Sequence, residues 1–182
     1  MTDPTAGGGN TIEVRISRTE QLFNSFDPSP FDERDLDKDA EAHIAGWARE
    51  LPADAPIRIL LHLPPGEALR AQERELALAL TNYFRVRAEW IDRDRRELFR
   101  LGWRYLSISI PILTACLLAS HFLPRLIGVG PLAGIVQESL VILGWVANWK
   151  PLETFLYDWW PLQRQARLYR RIADAAVEIR RS

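Results

Sequence analysis

Hydrophobic and polar positions follow distinct patterns along the N-terminal part of the chain. Ile12, Val14 and Ile16 alternate with polar residues, which is the two-residue period of a half-buried β-strand. Residues 57–63 are densely apolar and stop before a Pro-Pro-Gly sequence, which predicts a second strand. Between them, apolar side chains recur at helical spacing over about 37–51. This order predicts a βαβ unit in which the two strands are parallel neighbours.

A long helix is predicted to begin near residue 67, with its apolar positions on one recurrent face. No glycine or proline interrupts the chain between Gly66 and Gly102. The helix is therefore expected to continue directly into the apolar region that follows. Near the end of the chain, Val177 and Ile179 alternate with charged residues. They predict a third strand that returns to the edge of the sheet.

The longest apolar region, residues 105–149, contains only two full charges, Arg125 and Glu138. Prolines and glycines interrupt it near its middle and divide it into segments of about 105–123 and 132–149. Each segment has the length that a helix needs to cross a hydrocarbon core of roughly 30 Å. The predicted fold class is therefore an α-helical transmembrane hairpin with a small cytoplasmic α/β portion.

Charge divides the chain in the same way as hydropathy. Residues 1–99 carry a net charge of −6, and residues 100–182 carry a net charge of +5. The acidic part is expected to be in water and the basic part to lie close to a membrane. The predicted organisation is a disordered leader (1–10), an α/β portion (11–100), the hairpin (105–149) and an interfacial, amphipathic and basic C-terminal segment (150–182).

Positive charge also predicts how the hairpin is oriented, because short loops rich in lysine and arginine remain in the cytoplasm. Basic residues flank both apolar segments on their outer sides, whereas only Arg125 lies in the connection. No signal-peptide pattern precedes the first segment, and the single cysteine, Cys116, fits a reducing compartment. We expect a bacterial inner-membrane protein with both termini in the cytoplasm. A nucleic-acid surface is disfavoured, since no recognition motif accompanies the arginines.

Aromatic residues gather at the predicted cytoplasmic boundary of the hairpin, where amphipathic rings prefer to lie. Five of the seven tryptophans belong to this group. Arginines that follow Pro161 are expected to meet the anionic headgroups of the lipid bilayer. The predicted membrane-interface residues are Trp103, Trp145, Trp149, Trp159, Trp160, Arg164 and Arg167.

Glu138 needs a partner, because a charged residue at the centre of a membrane helix costs about 2.5–3.5 kcal/mol on insertion scales. His121 and Arg125 lie at comparable depth on the other limb of the hairpin, so Glu138 is expected to pack toward one of them. The alternatives are protonation or packing in an oligomer, and an ion or proton path. Small residues in the first segment favour close helix approach, within the hairpin or with a partner helix. They form two pairs, Ala115 with Ala119 and Cys116 with Ser120.

Catalytic and metal-binding patterns are not found in the sequence. Asp35, Asp37, Asp39 and Glu41 alternate like the start of a calcium loop, but the central glycine is missing and Gly46 stands where the last glutamate is required. An acidic first turn of a helix explains the run better. The three histidines share no metal spacing with the cysteine, and no nucleophile elbow, phosphate loop or dinucleotide fingerprint occurs. We expect no cofactor, no metal and no enzymatic activity.

Two motifs resemble an uncharacterised family of small bacterial two-span inner-membrane proteins. One is FDPSPF at residues 26–31, followed by DLD at 35–37. The other is GWVANWKPLE at residues 144–153, which continues into FLYDWWP at 155–161. The resemblance implies the two-span architecture and carries over no activity or site.

The preferred functional hypothesis is a non-enzymatic accessory or scaffold subunit that presents an acidic cytoplasmic domain at the membrane. Its expected partner is a second copy of the chain or another membrane protein. The alternative is an oligomeric channel or transporter component that uses Glu138. That alternative requires an oligomer, because a two-helix hairpin alone encloses no pore.

Overall fold

A computed structural model describes residues 10–24, 28, 34–64, 73–128 and 130–181 of the chain. The predicted leader, except Asn10, lies outside the described residues. So do most of the FDPSPF motif and the start of the long helix near 67. The chain forms two compact units, one of residues Met1–Ile91 with Arg164–Ser182 and the other of Asp92–Gln163.

The first unit is built on a parallel three-stranded sheet in the order β1–β2–β3. Its strands are β1 (Thr11–Arg15), β2 (Arg58–Leu63) and β3 (Ala176–Arg181). Ile12 lies opposite Ile59, which in turn lies opposite Val177. The predictions of a parallel β1–β2 pair and of an edge strand near the end of the chain are therefore confirmed.

Apolar side chains from strands and helices form the core of this unit. Helix α1 (Lys38–Glu50) starts at Asp37, whose carboxylate accepts backbone hydrogen bonds of 2.9 and 3.4 Å from the first turn. This cap matches the predicted acidic helix start. Strand β2 is buried on both faces, as expected of a central parallel strand. Fully buried core residues include Ile12, Ile44, Ile59, Leu61, Leu76, Leu80, Phe84 and Ile172.

The long helix α2 (Glu73–Ile127) confirms that helical structure runs without a break into the apolar region. It also continues past Pro124, where the first segment was expected to stop. Membrane-type helices tolerate proline because local adjustments satisfy the freed backbone groups. The helix ends before Gly128, which has a φ of +82°, a left-handed conformation that glycine adopts without strain. Pro131 then occupies the first position of helix α3 (Pro131–Ala147).

Helical structure continues after α3 through α4 (Trp149–Glu153), a π-helical turn (Thr154–Asp158) and α5 (Trp159–Ala173). Pro161 lies inside α5 and does not divide the helical structure. The irregularity falls at the π turn instead, because a proline ring crowds the carbonyl group four residues before it. A wider turn at that point relieves the contact.

Residues 150–182 do not behave as one interfacial segment. Ala166, Tyr169 and Ile172 are buried, and Tyr169 packs on Phe84 with the ring centroids 5.6 Å apart. Arg171, which was expected to reach lipid headgroups, donates to the backbone carbonyl of Pro52 at 2.7 Å. The second half of α5 therefore belongs to the core of the α/β unit, because its apolar face packs there.

Two helical regions are long and apolar enough, by length and composition, to cross a membrane: Glu75–Leu123 and Pro131–Ala173. In the most apolar 18-residue stretch of each region, only 17% is buried. The core helix of a water-soluble domain is, by contrast, mostly buried. Many of the side chains exposed along these regions are large and hydrophobic. They include Ile108, Ile112, Leu118, Leu132, Ile135, Ile142, Leu143 and Val146.

Candidate functional site

The helices α2 and α3 approach each other closely at Gly144. A Cβ atom added there would lie 2.9 Å from Leu113 Cδ1 and 3.2 Å from Cys116 Cβ, so any larger residue would force these side chains to shift. Cys116 and Ser120 are both buried, whereas Ala115 and Ala119 are exposed. Of the two small-residue pairs, Cys116–Ser120 therefore lies on the buried side of the hairpin, and Ala115–Ala119 faces outward.

A polar clasp joins the two helices at the end of the hairpin away from the connection. Asn148, which is 7% exposed, accepts a hydrogen bond of 3.0 Å from Ser109 Oγ at its Oδ1. Its Nδ2 group donates to the Gly144 carbonyl at 3.0 Å and to the Ser109 carbonyl at 3.4 Å. Every polar atom of the Asn148 side chain thus has a partner, which favours burial in an apolar environment.

Glu138 does not make the contact predicted for it. The residue is exposed, and no hydrogen bond or ion pair joins it to another of the described residues. His121 packs its ring edge-on to Phe122 at 5.3 Å, and the Arg125 guanidinium lies over the same ring at 5.3 Å. The physical reason is rotation, because Glu138 lies about 120° around α3 from Gly144, the contact point with α2.

Most of the predicted interface aromatics are exposed in the second unit. Trp103, Trp145, Trp149 and Trp160 each expose at least 60% of their surface. Trp159 differs, since it is half-buried and its indole N–H donates to the Phe155 carbonyl at 2.9 Å. The two predicted arginines, Arg164 and Arg167, are exposed on α5 in the first unit.

The second unit also contains an aromatic cluster on the face of Gly102. Phe155 lies with its ring centroid 5.6 Å from Trp103 and 6.1 Å from Phe99. A Cβ atom at Gly102 would come within 3.0 Å of Phe155 Cζ and 3.1 Å of Thr154 Cγ2. Glycine at this point therefore lets the π turn pack directly against α2.

The first unit has a cluster centred on Glu41 that the sequence did not predict. The Glu41 carboxylate accepts a 2.8 Å hydrogen bond from the Tyr83 hydroxyl and a 2.7 Å hydrogen bond from the Tyr169 hydroxyl. Arg87 Nε lies 3.7 Å from the same carboxylate, and the Arg87 guanidinium stands 5.8 Å over the Trp90 ring. Glu41 therefore links α1 to α2 and α5, helices that are far apart along the chain.

Burial and the hydrogen bonds to Glu41 both raise the pKa of Tyr83 and Tyr169. Desolvation makes the larger contribution at each residue, because a phenolate loses more hydration on burial than a phenol does. A negative carboxylate at hydrogen-bond distance disfavours a second negative charge. Both hydroxyl groups are thus held protonated as donors to Glu41.

A cavity of about 520 Å³ opens beside this cluster. Its lining includes Asn24, Asp35, Asp37, Asp39, Glu41, Tyr83, Arg87 and Trp90. Two of the four lining carboxylates already have structural partners, since Asp37 caps α1 and Glu41 receives the two tyrosine hydroxyls. Among the described residues, no group of three histidine, cysteine or acidic side chains is placed to hold a metal ion.

Comparison with known proteins adds no relative to this picture. A scan against protein-family models, a search of curated proteins and a search of solved structures each found no match. The fold is mostly helical, with two helices that could span a membrane and a small parallel three-stranded sheet. Function must therefore be inferred from the contacts within this chain.

Proposed function

We propose that the protein is a non-enzymatic two-pass membrane protein. It serves as an accessory or scaffold subunit that presents an acidic α/β unit at the cytoplasmic face of a bacterial inner membrane. The pairing of β2 with β3 carries this proposal. Strand β2 precedes both apolar helices and β3 follows both, and hydrogen-bonded strands must share a compartment. The chain therefore crosses the membrane an even number of times between them, which fits two spans.

The surface of the hairpin supports the same conclusion. Outside the helix contact, α2 and α3 expose large apolar side chains, a surface that water disfavours and lipid tails accept. The exposed tryptophans Trp103, Trp145 and Trp149 stand near the same end of the two helices as the Ser109–Asn148 clasp. Aromatic side chains at one end of a hairpin are typical of a membrane interface.

Cysteine labelling tests the topology. In a Cys116→Ala background, single cysteines at Asn10, Gly130 and Arg180 are exposed to an impermeant maleimide outside intact cells. Gly130 is a suitable position because an added Cβ meets no atom within 4 Å. We expect labelling at 130 alone; modification at 10 or 180 before lysis would contradict the orientation.

Extraction and purification test the remaining parts of the proposal. A two-span protein stays in the membrane pellet after alkaline carbonate treatment, whereas a peripheral protein is released. Purification in mild detergent followed by mass measurement then shows what the protein assembles with. A defined hetero-complex supports an accessory subunit, and a preparation that turns over a substrate without added partners argues against a non-enzymatic role.

A second candidate function is an oligomeric channel or transporter component, favoured by the exposure of Glu138. An exposed acidic side chain that has no partner among the described residues is unusual on an apolar helix. Ion flux through reconstituted vesicles tests this candidate. Glu138→Gln should abolish flux and leave assembly intact if the carboxylate carries ions or protons; flux that persists in this variant excludes the role.

A further inference from the structure

Glu138 and His121 lie on the same side of the hairpin. Helical rotation places Glu138 about 120° around α3 from Gly144, and His121 about 140° around α2 from Cys116. Gly144 and Cys116 mark the contact between the helices. The short connection makes α2 and α3 antiparallel, so the two rotations turn toward the same side. The side chains therefore point out of the hairpin together, rather than toward each other.

The two residues also lie at the same depth. Glu138 is seven residues beyond Pro131 at the start of α3, or about 10 Å by helical rise. His121 is six residues before Ile127 at the end of α2, or about 9 Å. Both distances are measured from the same short connection. A second hairpin inserted in the same orientation would carry its own Glu138 and His121 at that depth.

Gly134 adds an independent reason to expect a helix on this side. It lies one turn before Glu138 and about 40° from it around α3. The residue is exposed, and an added Cβ would meet no atom within 4 Å. An outward-facing glycine beside a polar residue lets the backbone of another membrane helix approach closely.

We infer that the hairpin forms a homodimer in which Glu138 of each copy bonds to His121 of the other. The inference rests on the proposed membrane insertion. A two-fold axis along the membrane normal places α2 of the second copy opposite α3 of the first, so one rotation creates two equal contacts. The imidazole N–H donates to the carboxylate, which supplies the partner that Glu138 lacks among the described residues of its own copy.

Disulfide cross-linking in native membranes tests the interface. In a Cys116→Ala background, the pair Gly134→Cys on α3 and Arg125→Cys, which is exposed at a similar depth on α2, should form a cross-linked species of twice the 20.9 kDa chain mass on mild oxidation. The matched control is Val136→Cys in place of Gly134→Cys, because Val136 is exposed at nearly the same depth and about 200° around the helix from Gly134. Equal cross-linking at 136 overturns the proposal, and so does a product at 134 that contains a different protein.

Exchange of the two residues tests the pairing itself. Glu138→Leu and His121→Leu should each shift the purified protein from dimer to monomer, whereas Gln137→Leu at the same depth should not. Glu138→Gln should keep the dimer because an amide still accepts a hydrogen bond. The double variant Glu138→His with His121→Glu should restore the dimer that the single leucine variants lose. Failure of this exchanged pair to dimerise, when Glu138→Gln is dimeric, overturns the pairing.

The experiments separate this inference from the proposed function. Wild-type protein that resists carbonate extraction but is monomeric in nanodiscs overturns the homodimer and leaves the two-pass topology intact. Release by carbonate overturns the two-pass topology, and the dimer inference falls with it.

Discussion

Replacement of Glu41 should destabilise the α/β unit more than any neighbouring surface change. The Glu41 side chain is 14% exposed, and its two short hydrogen bonds connect α1 with α2 and α5. In Glu41→Ala, the hydroxyl of Tyr169 loses its acceptor in a residue that is only 4% exposed. Tyr83 is less buried and can turn toward water.

The magnitude follows from the nature of these bonds. A hydrogen bond to a charged group contributes about 1.5–3 kcal/mol, and a buried donor left without an acceptor costs about 1–3 kcal/mol. Because Tyr83 recovers part of its loss from water, we expect Glu41→Ala to lower the free energy of unfolding by about 2–4 kcal/mol. Glu50→Ala is the matched control, since Glu50 is exposed near the end of the same helix and should change stability by less than about 0.5 kcal/mol.

The assay is denaturant unfolding of the full chain in detergent, followed by near-ultraviolet circular dichroism. Combining Glu41→Ala with Tyr169→Phe gives a double-mutant cycle. Residues that share a hydrogen bond should show a coupling of about 1–2 kcal/mol. If Glu41→Ala matches Glu50→Ala, or if the two changes at 41 and 169 add without coupling, the assigned role of Glu41 is refuted.

Three further predictions concern helix packing, the polar clasp and pH. Gly144→Ala should destabilise the hairpin by about 1–3 kcal/mol, because the added methyl group overpacks the helix contact. In the same denaturant-unfolding assay, Gly46→Ala should stabilise α1 by up to about 1 kcal/mol, since its added Cβ meets nothing within 4 Å. Asn148→Leu should make the hairpin more susceptible to protease in detergent, and unchanged cleavage would argue against the clasp. Because folding raises the pKa of Tyr83 and Tyr169, their contribution to stability is complete below about pH 10 and falls as the pH rises further. Above about pH 10 the denaturation midpoint of the wild-type protein should therefore fall more steeply with pH than that of the variant with phenylalanine at both positions.

Local periodicity was sufficient to predict the three strands and the first helix of the α/β unit. Alternation at Ile12, Val14 and Ile16 predicted β1, and the strand is there with Ile12 and Val14 buried. The Glu41 cluster could not be found in this way, because its two tyrosines are 42 and 128 residues away along the chain. From the sequence alone, a single acidic residue in the first turn of a helix is explained by its favourable interaction with the helix dipole. Its partners become visible only when the helices are packed.

The sequence by itself determined where the chain is apolar for long enough to cross a membrane, because hydropathy and helix length are sums over neighbouring residues. It also determined the strands, whose period is local. Tertiary structure alone decided which way Glu138 points, because the rotation of α3 depends on the close contact of Gly144 with Leu113 and Cys116. A carboxylate that the sequence assigned to the inside of the hairpin therefore faces outward.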